Sequence, residues 1–226
     1  MTNHENQLWK VDLHIHTHYS RDCLMDPAAV IARAREVGLD RIAITEHDNI
    51  AGALATHELA PEFVLVGEEI ATTTGELIAY FVEEEVPPGL TPAEAIARLR
   101  EQGAVISISH PLDSWRRAAM GEANVLAIID QVDALEGFNA RSLYREDNER
   151  AQELARDHSK LITAGSDAHS LFEIGRGYLL MPPFHDKASF IRSLLQARPE
   201  GLATPLWVHG SSFLAKWRKR LFSAGR

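Results

Sequence analysis

KVDLHIHTHYSRDCLMDPAAVIARAREVGLDRIAIT, residues 10–45, reads as a strand, a helix and a second strand in succession. Lys10–His16 carries the alternating, partly β-branched pattern of a strand. Pro27–Val37 reads as a helix, with a proline in its first turn and Gly38 closing it. Arg41–Thr45 is again strand-like. Alternation in the first strand predicts that His14 and His16 share one face while Leu13 and Ile15 enter the other layer.

The same rhythm continues along the chain. Strands are expected at Phe63–Ile70, Leu77–Val82, Ala104–Ser109, Ala134–Phe138, Leu161–Ala164 and Tyr178–Met181. The first two are separated by the polar turn Thr72–Glu76 with Gly75, which predicts a hairpin. Helices are expected at Asn49–Leu59, Pro92–Gln102, Ala123–Asp130, Arg145–His158 and Ala188–Ala197, the second with Thr91 and Glu94 as a capping box. Phe213–Arg226 is basic and amphipathic and predicts a C-terminal helix. Repeated strand–helix units imply a mainly parallel sheet, and about seven of them in a chain this size favour a closed barrel. No repeat or linker-like tract interrupts residues 1–226, so a single domain is expected, with its core over about 10–200.

With 45% hydrophobic and 24% charged residues among 226, the chain carries enough apolar material for a sizeable core. Its net charge of −9 disfavours tight, non-specific binding of long nucleic acid, although bound cations would reverse the sign locally. Cys23 stands alone, which excludes an internal disulfide. Neither a secretory pattern nor a bilayer-length apolar run is visible, so a cytoplasmic protein without membrane contact is expected. Oligomeric state is not readable.

In a barrel of this kind, chemistry gathers at the C-terminal strand ends. The chemical residues fall there: His14 and His16; Glu46, His47 and Asp48; Glu68 and Glu69; His110; Asp167 and His169. Two imidazoles on one face begin a metal site, and Asp167-Ala168-His169 repeats the spacing at the other end of the chain. Asp48 is read as a helix cap. Glu69 closes an apolar run, where a carboxylate is costly unless exposed or coordinated. Pro111 fixes the chain's exit after His110.

The ordered set His14-Ile15-His16-Thr17, Thr45-Glu46-His47-Asp48, Gly67-Glu68-Glu69-Ile70, Ser109-His110-Pro111 and Gly165-Ser166-Asp167-Ala168-His169 resembles the polymerase and histidinol phosphatase (PHP) superfamily. The resemblance covers roughly residues 10–180. It implies a distorted (β/α)7 barrel and two or three divalent ions, Mn, Zn or Fe. The implied activity is hydrolysis of a phosphate ester by metal-bound hydroxide. Carried over by residue, His14, His16, Glu69 and Asp167 would hold one ion. Glu69 would bridge to a second with His110, and Asp22, His47 and His169 would hold a third. Where many relatives have Gly-His, this chain has Gly75-Glu76. Glu76 reads as a substitute ligand that tilts this position toward Mn or Fe, a solvated turn residue being the alternative. Arg141 and Arg176 would contact the phosphate through a planar fork, placing them with Glu69 among the catalytic residues.

Other readings stay open. An amidohydrolase also starts with His-x-His but commonly adds a bridging lysine, where this chain offers His110. A non-catalytic metal module is a further alternative, although such domains often lose ligands. The substrate is expected to be a small phosphomonoester or a nucleotide, with exonuclease or cyclic phosphodiesterase action on nucleotides or short oligonucleotides as the variant.

Overall fold

The computed structural model describes residues 8–208 and Lys219. The helix expected at Phe213–Arg226 otherwise lies outside the described residues. The strands are β1 (Trp9–Ile15), β2 (Arg41–His47), β3 (Val64–Thr72), β4 (Gly75–Tyr80), β5 (Val105–Ile108), β6 (Ala134–Asn139), β7 (Leu161–Gly165), β8 (Gly177–Met181) and β9 (Arg198–Gly201). The helices are α1 (Pro27–Glu36), α2 (Ala51–Leu59), α3 (Pro92–Glu101), α4 (Glu122–Ile128), α5 (Arg145–Asp157) and α6 (Lys187–Leu194).

All nine strands join one sheet in the order β7-β6-β5-β4-β3-β2-β1-β8-β9. The sheet curls until β7 returns to β1. There Ile15 and Ala168 form a parallel bridge, His16 N donates to Ala168 O at 3.1 Å and Ala168 N to His14 O at 3.3 Å. The result is a nearly closed, mixed α/β barrel. It is less parallel than the strand–helix rhythm implies. The hairpin makes β4 antiparallel to both neighbours, and β8 and β9 also run antiparallel. The turn after β3 is too short for a crossover, so β4 must reverse direction.

Local signals act as expected in α1 and α3. Asp26 accepts from Ala28 N and Ala29 N ahead of Pro27, and Gly38 takes a positive φ of 77° after the last turn. Thr91 and Glu94 form the capping box of α3. Asp48 is no cap: α2 starts after Ile50 without a side-chain cap, and Asp48 Oδ1 instead accepts from Ala71 N at 2.8 Å. It thereby ties the end of β2 to β3.

The barrel interior is apolar at its lower end, with Val11, Leu13, Ala43, Leu65, Ile78 and Val105 packed together over Phe184 and Phe190. Period-two alternation then carries each strand from this layer to the site. Ala43 is followed by Thr45 and His47, Leu65 by Gly67 and Glu69, and Val105 by Ser107 and Ser109. In antiparallel β4 the same step runs backward, from Ile78 to Glu76. One strand breaks the rule. Between Asp12 and Ile15, β1 has one residue more than β2. This bulge leaves Leu13 in the interior with Val11 and places Ile15 in the outer layer against α1 and α2, so the expected grouping of Leu13 with Ile15 is corrected. An extra residue re-aims the strand end, and His14 and His16 both join the interior site.

Candidate metal centre

Glu69, 1% exposed, is the hub. Its Oε1 lies 3.1 Å from His110 Nε2 and 3.3 Å from His14 Nε2; its Oε2 lies 2.9 Å from His47 Nδ1 and 3.5 Å from His16 Nε2. Ser109 Oγ donates to Oε1 at 2.7 Å. Potential ligand atoms form three overlapping groups: Glu69, Glu76 and His110; His14, His16 and Glu69; and His16, His47 and His169. Asp22 Oδ1 sits 3.3 Å from His47 Nε2 and 3.2 Å from His169 Nε2. Glu76 is buried with Oε2 3.2 Å from His110 Nε2, which rules out the solvated-turn alternative.

The donor set fits divalent cations. His14 Nδ1 donates to Glu136 Oε1 at 2.9 Å, so that with a cation in place the neutral ring would turn its Nε2 lone pair to the group. That Nε2 is 3.1 Å from His16 Nε2, a contact suited to two lone pairs sharing an ion. Asp167 Oδ1 is buried, accepts no hydrogen bond, and faces His16 at 3.4 Å, His169 at 3.4 Å and His14 at 3.7 Å. A cation among these atoms would satisfy an oxygen that is otherwise costly to bury.

The electrostatics show the same crowding. Burial would lower the His14 pKa, but the Glu69, Asp167 and Glu136 carboxylates prevail and hold it well above its ordinary value. His16 falls to about 4 through burial and repulsion from His47 and His169. Burial opposes ionisation of Glu69, but His14 and His47 hold its carboxyl well below the usual range.

Of the residues that support these ligands, sequence reasoning singled out Glu46 and missed Asp12 and Glu136. Buried Glu46 accepts from Thr17 N at 3.0 Å and from the hydroxyls of Thr17 and Ser20, folding the loop after β1 so that Asp22 meets His47. Asp12 accepts from Ser166 N at 2.9 Å and Gly175 N at 3.1 Å, pinning the loop that carries Asp167 and His169. Glu136 also accepts from His110 N at 2.7 Å. That bond helps hold His110 at φ 27°; Asp167, at φ 53°, is a second site residue in the left-handed region. Such backbone costs about 1–3 kcal/mol per residue and persists only where its surroundings impose it. Replacing Glu136 with Ala should weaken metal binding about 10–100-fold, the usual effect of removing a ligand histidine's carboxylate partner. Metal titration of the apoprotein measures it, and an unchanged affinity would remove Glu136 from the centre.

The arginines divide. Arg141 reaches the group, with Nη1 2.6 Å from His169 Nδ1 and Nε 3.3 Å from Glu173 Oε1. Arg176 is held elsewhere: Nη2 donates to Ala203 O at 2.6 Å and the guanidinium stacks 5.2 Å from the Phe172 ring. The proposed phosphate contact through Arg176 is thus corrected, because its side chain follows the outer face shared with Tyr178. Arg116, which no sequence signal singled out, places Nη1 2.7 Å from Asp167 Oδ2.

Fold and site together define a barrel that collects at one mouth histidines and carboxylates able to hold metal. The PHP domain family model matches residues 12–170, and a PHP-associated model matches 145–199; the chain belongs to the PHP domain family. It is 37% identical over 175 residues to an uncharacterised protein of Methanocaldococcus jannaschii, covering 75% of this chain and 69% of that one. Among solved structures it is similar to a two-domain Bacteroides vulgatus protein containing a predicted PHP-like metal-dependent phosphoesterase, with TM-score 0.71 and 20% identity over 89% of this chain and 70% of that one. A lesion-specific endonuclease from Pyrococcus furiosus gives TM-score 0.59 and 16% identity over 85% of this chain and 58% of that one. These likenesses below 25% identity speak to the fold. Among the described residues, no helix is long and apolar enough to cross a membrane.

Proposed function

We propose that the protein hydrolyses a phosphate ester at this centre, acting on a small phosphomonoester or nucleotide with two or three divalent ions. The observation that carries the reading is Glu69, one carboxylate within 3.5 Å of imidazole nitrogens from His14, His16, His47 and His110. Mn, Zn or Fe ions held there would make water acidic enough to attack near neutral pH and would take up charge on the phosphoryl oxygens. Glu69, His14, His16 and Asp167 would hold one ion, Glu69, Glu76 and His110 a second, and Asp22, His47 and His169 a third. Arg141 at the edge offers a planar donor to the phosphoryl group.

Elemental analysis after purification without chelator and with Mn supplied should give two or three equivalents per chain. The same preparation should hydrolyse members of a panel of phosphomonoesters, phosphodiesters and short oligonucleotides. Less than one equivalent under both conditions would remove the basis of this reading. Arg141→Ala should retain metal and lower catalytic efficiency by about 2–4 kcal/mol, the scale for one preorganised donor. Loss of one metal equivalent instead would assign Arg141 to orienting His169.

A nucleotide is favoured among substrates by the rim. Exposed Tyr19, Trp115 and Tyr144 stand on the loops that follow β1, β5 and β6, all at the mouth's end of the barrel. Aromatic faces there suit a planar base, each stack contributing about 1–3 kcal/mol. Nucleotide esters should accordingly be hydrolysed more efficiently than glycerol phosphate in the panel.

A further inference from the structure

Arg116 sits six positions beyond His110, on the segment that leaves β5. Two buried carboxylates tie this segment down. Asp113 accepts from Trp115 N at 3.0 Å, Arg116 N at 3.1 Å and Ser142 Oγ at 3.1 Å. Asp147, on α5, accepts from Ser114 N at 2.9 Å and Ser114 Oγ at 2.8 Å. Burying two acids to hold a short surface turn has a desolvation cost, and its effect is a guanidinium positioned before any ligand arrives.

Asp167 divides its two oxygens. Oδ1 faces the imidazoles, whereas Oδ2 takes Arg116 Nη1 at 2.7 Å and Asn139 Nδ2 at 3.2 Å. Arg116 therefore does not occupy the oxygen suited to a cation. Its side chain is 23% exposed, and it stands on the loop that follows β5, at the mouth's end of the barrel. A guanidinium has five N–H donors; with Nη1 on Asp167 Oδ2 and Nε 3.7 Å from Asp113 Oδ2, donors of the Nη groups are left for a second anion.

Building on the phosphoesterase reading, we infer that Arg116 is a phosphate-binding residue of this centre, fixing Asp167 through Oδ2 while presenting its remaining donors to the phosphoryl oxygens. It fills the role that the sequence resemblance gives to Arg176. A lysine could neutralise the charge but could not fork between Asp167 and a phosphate.

Calorimetric titration of the metal-loaded protein with inorganic phosphate tests this without requiring turnover. Arg116→Ala should keep the wild-type metal content and weaken phosphate binding about 10–100-fold, the range for a hydrogen bond to a charged group. Arg116→Lys should recover part of the affinity, and Arg176→Ala should bind as the wild type does. An Arg116→Ala protein that loses metal, while its loaded fraction binds phosphate normally, would overturn the inference and leave Arg116 as a support for Asp167 alone. If wild type binds phosphate through Arg116 yet hydrolyses no ester, the phosphoesterase reading fails and the binding assignment stands. No phosphate binding by loaded wild type overturns the assignment itself.

Discussion

Glu69→Gln should lose metal at more than one position and cut turnover by about three orders of magnitude or more. Removing one preorganised charge-stabilising group costs about 10²–10³-fold, and Glu69 serves two neighbouring groups of ligands. Both carboxylate oxygens face imidazole nitrogens, at 2.9 Å to His47 and 3.1 Å to His110. An amide keeps one acceptor, turns an N–H2 toward the other side, and removes the negative charge that balances buried cations. Glu68→Gln is the internal control. Glu68 points out of the barrel and accepts from Val86 N at 3.0 Å, and burial raises its pKa to about 8. Gln there replaces a largely neutral carboxyl of the same shape, so metal content and turnover should change little. Elemental analysis with steady-state kinetics separates the two variants; near-normal turnover of fully loaded Glu69→Gln would show that Glu69 is not the hub.

Gly165→Ala should damage fold and site together. A Cβ at this position would stand 2.2 Å from His14 Cβ and 2.7 Å from His14 N. These atoms belong to β1, whose exit is already fixed by the Ile15–Ala168 bridge. Nor can β7 back away freely, because Gly177 on β8 lies so close that its own Cβ would meet Gly165 O at 2.2 Å. Overpacking of this kind typically costs about 1–3 kcal/mol, occasionally more, and the seam's rigidity places this site toward the upper end. In a domain of this size each kcal/mol lowers Tm by about 2–4 °C. Displacing His14 should also weaken metal binding, so denaturation and metal titration should move together. Wild-type stability with wild-type metal affinity would mean that the seam is looser than its distances indicate.

Much of the site can be read along the chain because its residues end strands, and strand ends are marked locally. Alternation places Glu69 two residues above Gly67 and His47 two above Thr45, and the turn at Gly75 carries Glu76 back to the same end. Asp12 and Glu136 escaped that reading, and Glu46, found at its strand end, showed nothing of its supporting role. Each looks like an ordinary charged residue until the strand beside it is known, and only burial against a partner far away in sequence reveals its purpose.

The arginines mark the boundary most clearly. A guanidinium on a long side chain can serve any anion within reach of its arm, and local pattern does not say which way the arm turns. Arg141 follows β6 and Arg176 immediately precedes β8, yet one meets His169 and the other turns outward onto Phe172, while Arg116 arrives from a turn with no periodicity.

By itself the sequence determined the strand–helix rhythm, the β3–β4 reversal and the order of histidines and carboxylates, since periodicity, turn chemistry and residue type are local properties. Only the tertiary structure decided the β1 bulge, the β7–β1 seam and which arginines lie against the site, Arg116 beside Asp167 and Arg176 turned away onto Phe172. Those depend on how a twisted sheet closes on itself and on which side chains then lie within a few ångströms across the seam, distances that adjacent residues in the chain do not encode.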